Sequence, residues 1–150
     1  MTFALTISVF TDGGLIPARF TCEGANVSPE LRWSDMPAST HSFALIVDDP
    51  DAPVGTFTHW VLFDIPADRS NLAEGENKIG VAGKNDFGRA GYGGPCPPRG
   101  HGPHRYYFTL YALDIASLKL KAGIGRREVE TALRGHVLAQ AQYLGRYERK

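Results

Sequence analysis

The sequence predicts a mainly β protein built as an antiparallel β-sandwich, and three observations support this fold class. Short runs of β-branched and aromatic residues dominate the chain. Proline, glycine and aspartate interrupt these runs at intervals typical of sandwiches rather than of alternating strands and helices. Only one segment has a clear helical pattern. With 150 residues, the chain is expected to form a single domain, residues 1–150, that is large enough to bury a core.

The strands are predicted from short apolar or alternating runs. The clearest are Phe43 to Asp49, Phe57 to Ile65 and Arg105 to Leu113. Residues 1–10 and 30–34 are weaker candidates, and residues 77–87 (NKIGVAGKNDF) are interpreted as a strand, a turn and a short second strand. Residues 137–147 alternate with period two, which predicts a terminal strand.

The helix is predicted from Arg126 to Arg134, a segment without glycine or proline. Val129, Ala132 and Leu133 fall on one stripe of this helix, and the glycine that follows is a typical helix end.

Composition excludes several classes of function. Sixteen basic and sixteen acidic residues give a formal net charge of zero, and no basic run is present, so we expect no nucleic-acid partner. The first ten residues lack the positive start of a signal peptide, and no stretch approaches the roughly 20 apolar residues that span a bilayer. We therefore expect a cytoplasmic protein without integral membrane association.

The two cysteines, Cys22 and Cys96, occur without a CxxC motif or a paired cysteine–histidine spacing. Two reduced thiols are the favoured interpretation for a cytoplasmic protein. The sequence also permits a Cys22–Cys96 bridge.

Each of the three clearest strands places one polar residue at the end of an apolar face. Asp49 ends the first strand, and His104 precedes the third. His59 shares its predicted face with Val61, Phe63 and Ile65. We expect Asp49, His59 and His104 to meet in one pocket with an apolar floor at an end of the sheet. Each residue by itself is equally well explained as part of a structural hydrogen-bonded pair.

The segment before His104, residues 91–103 (GYGGPCPPRGHGP), contains five glycines and four prolines. Glycine permits close backbone approach, and proline fixes φ. We predict an ordered loop whose main-chain amides approach a ligand. Amides in such turns and protonated histidines both bind anions, so a phosphate or a carboxylate is the expected ligand.

Metal binding and catalysis are less favoured by the same residues. Asp49, Asp51, His59, His101 and His104 are metal-ligand types, and His101-x-x-His104 has chelating spacing. That spacing includes a glycine and a proline and does not lie on a helix, so no metal and no other cofactor is expected. GxSxG, P-loop, HExxH and GxGxxG motifs are absent from the sequence. A hydrolase that uses Asp49 and His59 is therefore the lowest-ranked alternative.

Several motifs together resemble one known family. "DDPDAP" at 48–53, "THW" at 58–60 and "GYGGPCPPRGHGPHRYYFTLYAL" at 91–113 resemble the signature regions of the phosphatidylethanolamine-binding proteins, also called Raf kinase inhibitor proteins. "IPARFTCEGANVSPELRW" at 16–33 is most similar to the bacterial and archaeal branch. The resemblance implies a Greek-key sandwich with a few short peripheral helices and a small anion-binding pocket at one end.

The resemblance also implies a set of ligand-binding residues. They are Asp49, Asp51, His59, Tyr92, Gly94, Cys96, Pro97, His104 and Tyr106. Eukaryotic members commonly have glycine at the position of Cys96, so the thiol is expected to face the pocket. The resemblance to bacterial members further implies a homodimer.

The expected function is non-enzymatic, regulatory binding of a small phosphorylated or carboxylated ligand. In this hypothesis Asp49 orients a histidine, His59 and His104 donate to the anion, and loop amides complete the site. The alternative is an inhibitor that acts on a kinase or protease through its surface.

Overall fold

The structure, a computed structural model, describes residues 2–150 and contains two β-sheets and one α-helix. The strands are β1 (Ala4–Thr6), β2 (Gly14–Leu15), β3 (Leu31–Ser34), β4 (Ser42–Asp49), β5 (Phe57–Pro66), β6 (Asn71–Leu72), β7 (Val81–Ala82), β8 (His104–Leu113) and β9 (Val137–Tyr147). The helix α1 spans Arg126–Leu133, and a short 3-10 helix spans Ala18–Phe20. The predicted mainly β sandwich is confirmed.

The larger sheet has the strand order β2-β9-β8-β4-β5-β7, and the smaller one β1-β3-β6. β4 lies in the middle of the larger sheet and pairs antiparallel with both β5 and β8. The pairing of β2 with β9 is parallel, which departs from the antiparallel prediction. Within residues 2–150, no helix has the length and apolar character needed to cross a bilayer.

The long predicted elements lie within one residue of β4, β5, β8, β9 and α1. The weaker predictions were less accurate at their ends. The first strand is confined to Ala4–Thr6, and the segment 77–87 forms β7 with an isolated bridge between Lys84 and Ala90. β2 and β6 were not predicted, because strands of two residues are too short to show an alternating pattern.

The core has two layers because both faces of β4 are buried. Phe43, Leu45 and Val47 point into the space between the two sheets. Ala44 points the other way, into a second cluster that includes Val129 of α1. The near-continuous apolar run of this strand is typical of a strand that is covered on both faces.

β5 contains an irregularity that the sequence did not reveal. Val47 pairs with Trp60 and Asp48 with Thr58, so His59 is an extra residue in the ladder. Val61 and Phe63 pack under α1, whereas His59 contacts Tyr106 on the other face of the sheet. The prediction that His59 shares a face with Val61 and Phe63 was therefore wrong, because a bulge re-aims this side chain. Ile65 does lie on the side of Tyr106, because β5 has a second register shift between the pairs of Phe43 and Leu45.

The two cysteines form a disulfide, so the favoured interpretation of two reduced thiols was wrong. Cys22 and Cys96 are 74 residues apart in sequence, and their Cα atoms are 5.4 Å apart. The loop 91–103 folds back onto the turn after the 3-10 helix, where the Cys22 amide donates to the Pro95 carbonyl. A contact over this sequence separation leaves no local motif to detect.

Candidate functional site

A cavity of about 240 Å³ lies where β4 ends and β8 begins. Its lining residues are Asp49, Ala52, Pro53, Val54, Phe57, His59, Phe87, Cys96, Pro97, Pro98, His104 and Tyr106. The structure thus brings together Asp49, His59, Cys96, Pro97, His104 and Tyr106 from the predicted set. Asp51, Tyr92 and Gly94 lie outside this lining.

Asp49 and His104 form the buried polar centre of the cavity. His104 Nδ1 donates to Asp49 Oδ2 at 2.6 Å, and both side chains are buried. β4 and β8 are antiparallel neighbours, so the end of one meets the beginning of the other. The Asp49 carboxylate also accepts the Asp51 amide at 2.7 Å, which fixes the chain as it leaves β4.

His59 faces the same cavity but does not pair with Asp49, which corrects the partner assigned to Asp49 in the hydrolase alternative. Its Nδ1 donates to the Gly93 carbonyl oxygen at 2.7 Å. Burial lowers the pKa of His59, although Gly93 and the charge of Asp49 oppose that shift. The ring is therefore neutral at pH 7 and presents the lone pair of Nε2, which accepts a hydrogen bond.

The Tyr106 hydroxyl is a buried polar group without a hydrogen-bond partner among residues 2–150. Its side chain is only 1% exposed and lines the cavity. Burial raises the pKa of Tyr106, and the Asp49 carboxylate adds to the rise through its negative charge and as a nearby acceptor, although the hydroxyl and the carboxylate do not reach the geometry of a full hydrogen bond. The phenol keeps its proton at physiological pH and has a donor available for a ligand.

His101 extends the Asp49–His104 pair towards the surface. Its Nδ1 lies 2.6 Å from His104 Nε2, so Asp49, His104 and His101 form a hydrogen-bonded chain. His101 is exposed and does not line the cavity. In the sequence, His101 stood out only for its metal-ligand spacing. Its alignment with His104 depends on the turn between the two residues.

Asp51 belongs to a surface ion pair that supports the site from outside. Its carboxylate accepts two hydrogen bonds from the Arg105 guanidinium, at 2.9 and 2.8 Å. The hydrogen bond from Arg105 lowers the pKa of Asp51 to about 2. The Asp51 side chain is therefore paired with Arg105, and this ion pair holds the β4–β5 loop against β8.

Tyr92 and Gly94 hold the loop in place. The Tyr92 hydroxyl donates to the Phe20 carbonyl at 2.6 Å, and its ring lines a neighbouring cavity of about 400 Å³. The Gly94 amide donates to Asn26 Oδ1 at 2.8 Å. A Cβ atom at Gly94 would collide with the Phe20 carbonyl oxygen, so this position requires glycine.

The glycine- and proline-rich loop uses its amides to fasten itself to the protein. Amides at Gly91, Gly93, Gly94, Gly100 and His101 all donate to acceptors within the chain. Four further positions are prolines and have no amide hydrogen. The prediction that loop amides form an anion cradle is therefore not met at these positions. The loop supplies Cys96, Pro97 and Pro98 as cavity wall.

The walls include residues that no sequence pattern had singled out. Ala52, Pro53 and Val54 come from the loop after β4, and Phe57 begins β5. The first three closely follow Asp49 in the chain, and this closeness in sequence could have been used to predict them as cavity residues. Phe87 reaches the cavity from a distant segment and stacks edge-on against Phe57, with ring centroids 4.8 Å apart. No pattern in the sequence marks it.

The charge of the cavity depends on its two histidines. Asp49 is the only carboxylate in the lining, which contains neither lysine nor arginine. With neutral histidines the site is negative, and protonation of His59 or His104 offsets that charge. Among residues 2–150, no three histidine, cysteine or acidic side chains are grouped so as to hold a metal ion.

The mainly β sandwich and the cavity at one end of its larger sheet place this chain among small β proteins that carry a pocket. Within that class, the family described as phosphatidylethanolamine-binding protein matches residues 6–148. The chain belongs to this family.

Relatives and solved structures agree with this assignment. A UPF0098 protein of Aquifex aeolicus is 52% identical over 145 residues, covering 93% of this chain and 85% of the relative. A UPF0098 protein of Pyrococcus horikoshii is 48% identical over 151 residues, covering 95% and 75%. Among solved structures, the phosphatidylethanolamine-binding protein homologue CT736 of Chlamydia trachomatis has a TM-score of 0.93 at 39% identity, covering 99% of both chains. YbcL of E. coli, described as a member of the mammalian family, has a TM-score of 0.94 at 34% identity, covering 100% of both.

Proposed function

We propose that this protein is a non-enzymatic, regulatory binding protein. Its ligand is a small molecule with a phosphate or carboxylate group and an apolar part. The ligand occupies the cavity between Asp49, His59, His104 and Tyr106, and binding is coupled to proton uptake. A homodimer is part of the same proposal. A cytoplasmic location is also part of it and requires the Cys22–Cys96 disulfide to persist in a compartment that keeps most thiols reduced.

The buried hydroxyl of Tyr106 is the observation that carries this proposal. A polar group buried without a partner costs about 1 to 3 kcal/mol, so its presence in a cavity wall favours a ligand that accepts its hydrogen bond. An anionic oxygen is a strong acceptor for a phenol. His59 and His104 lie on the same cavity, and the Nε2 atom of each ring becomes a donor when that ring is protonated.

The apolar walls favour an ester or a substituted acid over a bare inorganic anion. The apolar residues of the lining include Phe57, Phe87, Pro53, Val54 and Pro98. Each methylene group buried there contributes about 0.8 kcal/mol, roughly a fourfold gain in affinity. A ligand that combines both parts uses the whole cavity.

Proton uptake follows from the charge of the site. An anion next to Asp49 is repelled while both histidines are neutral, and burial already lowers the pKa of His59. A bound anion stabilises the protonated ring and raises that pKa. The affinity for the anion therefore rises as the pH falls towards the lowered pKa.

Calorimetric titration with butyl phosphate, inorganic phosphate and O-phosphorylethanolamine at pH 5.5 and 7.5 tests the proposal. We expect butyl phosphate to bind tightest, to bind more tightly at pH 5.5, and to take up protons, seen as a dependence of the heat on the buffer. Tyr106→Phe should weaken binding at least about tenfold, because one hydrogen bond to a charged group is lost.

Tyr143→Phe is the matched control. Its hydroxyl donates to the Phe10 carbonyl at 2.6 Å and does not line the cavity, so butyl phosphate affinity should not change. Absence of saturable binding at millimolar butyl phosphate and pH 5.5 would contradict the proposed function. Equal loss of affinity in both variants would show that the effect is not specific to the cavity.

The two other hypotheses from the sequence have less support. The hydrolase alternative paired Asp49 with His59, whereas Asp49 binds His104 and His59 binds Gly93. A kinase or protease partner stays a prediction that rests on the family alone, and a pull-down with the purified protein is its direct test.

A further inference from the structure

We propose that His101 is a gate on the anion-binding nitrogen of His104. The His101 ring is hydrogen-bonded to His104 Nε2. A ligand has to displace this ring before His104 Nε2 can donate a hydrogen bond to the ligand. The inference rests on the proposed function, because it concerns the same cavity.

Both ring nitrogens of His104 have protein partners. Nδ1 binds the Asp49 carboxylate and Nε2 binds His101 Nδ1, each at 2.6 Å. The two imidazole rings meet edge to face, with centroids 4.9 Å apart. A third acceptor therefore gains a hydrogen bond from His104 only if one of these two partners leaves.

His101 is the partner that can leave. Asp49 is 3% exposed, lies at the end of β4, and also accepts the Asp51 amide. His101 is exposed, and its departure does not uncover a buried charge. Displacement of His101 is therefore the lower-cost route.

The backbone at His101 is held by hydrogen bonds, whereas its side chain is exposed and is bound to the protein through the contact with His104. The neighbouring glycines, Gly100 and Gly102, have φ of 74° and 85°, which favours glycine at both positions. The Gly100 amide donates to the Arg149 carbonyl at 2.8 Å, and the His101 amide donates to the Pro98 carbonyl at 3.2 Å. Rotation about χ1 is enough to remove the ring, and the loop does not have to move.

The position of the hydrogen links the gate to anion binding. A separation of 2.6 Å leaves room for a single hydrogen between the two nitrogens. When His104 Nδ1 donates to Asp49 and the ring is neutral, Nε2 accepts from His101. To donate to an anion, Nε2 has to carry a hydrogen itself, and because Asp49 holds the ring, the anion has to occupy the place that the His101 ring leaves.

Few other groups bear on this contact. The charged and titratable side chains near the two rings include Asp49, the Asp51–Arg105 ion pair and, across the cavity, His59 and Tyr106. On the loop side they include Arg99, which pairs with Glu23, and Arg149, which donates to the Pro97 carbonyl. Asp49 keeps its hydrogen bond to His104, and Asp51 keeps its ion pair with Arg105, whether the His101 ring is bound or displaced. Displacement therefore breaks only the contact between His101 and His104.

The test compares four proteins in the same phosphate titration at pH 6: the wild type, His101→Ala, His101→Asn and His136→Ala. We expect His101→Ala to bind inorganic phosphate about tenfold more tightly, because the ligand no longer displaces a hydrogen bond. The amide of asparagine can donate to the same nitrogen, so His101→Asn should stay near wild type.

His136→Ala is the matched control. His136 binds Asp114 at 2.8 Å on the surface and does not line the cavity, so phosphate affinity should not change. The ¹⁵N shift of His104 Nε2 in phosphate-free buffer gives a second readout. It should change in His101→Ala and be restored in His101→Asn.

The outcomes separate the two proposals. Phosphate binding by the wild type with no gain in His101→Ala overturns the gate and leaves the proposed function standing. Weaker binding by His101→Ala also overturns the gate, because it makes His101 a ligand contact. Absence of binding in all four proteins, for phosphate and for butyl phosphate, overturns the proposed function and the gate with it.

Discussion

Asp49 Oδ2 and His104 Nδ1 lie 2.6 Å apart, and this pair joins the last residue of β4 to the first residue of β8. Both side chains are buried, so each satisfies a polar group that would otherwise lack a partner. The structural and the functional interpretation of a histidine next to a carboxylate therefore apply to the same contact. Stability and binding measurements on the same variants are needed to separate them.

Asp49→Asn is expected to lower the free energy of unfolding by about 1 to 2 kcal/mol, because a buried hydrogen bond to a charged group becomes a neutral one. Urea unfolding measures this change. Asp114→Asn is the matched control, since it alters an exposed aspartate–histidine contact of 2.8 Å and should cost less than about 1 kcal/mol. Equal effects in the two variants would refute a stabilising role for the buried pair.

His59 is expected to make stability depend on pH. Burial lowers its pKa in the folded state, so between that value and the unfolded value of about 6.5 the unfolded chain binds more protons. The free energy of unfolding therefore rises with pH through this window, and the stability is lost as the pH falls.

Unfolding curves between pH 7.5 and 5, in buffer without phosphate or carboxylate, should show a smaller loss for His59→Gln than for wild type. A bound anion would oppose the loss, and for this reason such buffers are left out. His136→Ala, remote from the cavity, should keep the wild-type slope. An unchanged slope in His59→Gln would contradict the assignment of this pH dependence to His59.

Tyr106→Phe is expected to raise the free energy of unfolding by about 1 kcal/mol, because it removes a buried hydroxyl without a partner. Tyr143→Phe should lower it by about the same amount, because its hydroxyl donates to the Phe10 carbonyl. Urea unfolding of both variants measures whether each substitution raises or lowers the free energy of unfolding. A destabilised Tyr106→Phe would mean that the hydroxyl already has a stabilising partner, with Asp49 as the nearest candidate.

The sequence predicted the elements whose pattern is local and long. β4, β5, β8, β9 and α1 were within one residue of their observed bounds, because their apolar alternation or stripe extends over eight or more residues. Asp49 and His104 were placed at facing strand ends by the same reasoning. The family resemblance added Tyr106, Cys96 and Pro97 to the lining.

The remaining features depend on contacts that the alternation of apolar and polar residues in the sequence does not predict. His59 reaches the cavity through a bulge, which a strict period of two excludes. His101 meets His104 because the turn between them brings two rings together. Gly94 is required for close packing against Phe20 rather than for a ligand. In each case the decisive contact arises from the path of the backbone.

The Cys22–Cys96 disulfide should contribute about 2 to 4 kcal/mol to the free energy of unfolding, since it closes a long loop in the unfolded chain. Cys22→Ser should lose this contribution, and urea unfolding with and without dithiothreitol measures it. Iodoacetamide should modify no cysteine before reduction and two after it.

Reduction is expected to loosen the cavity without unfolding the protein. Cys96 is part of the lining, but the neighbouring wall keeps the bonds from Gly94 to Asn26 and from Arg149 to Pro97. Butyl phosphate affinity should therefore fall on reduction of the wild type. In Cys22→Ser it should be low from the start and should not respond to the reductant, which controls for effects of dithiothreitol itself. Equal affinity in the oxidised and reduced wild type would show that the loop is positioned by its hydrogen bonds alone.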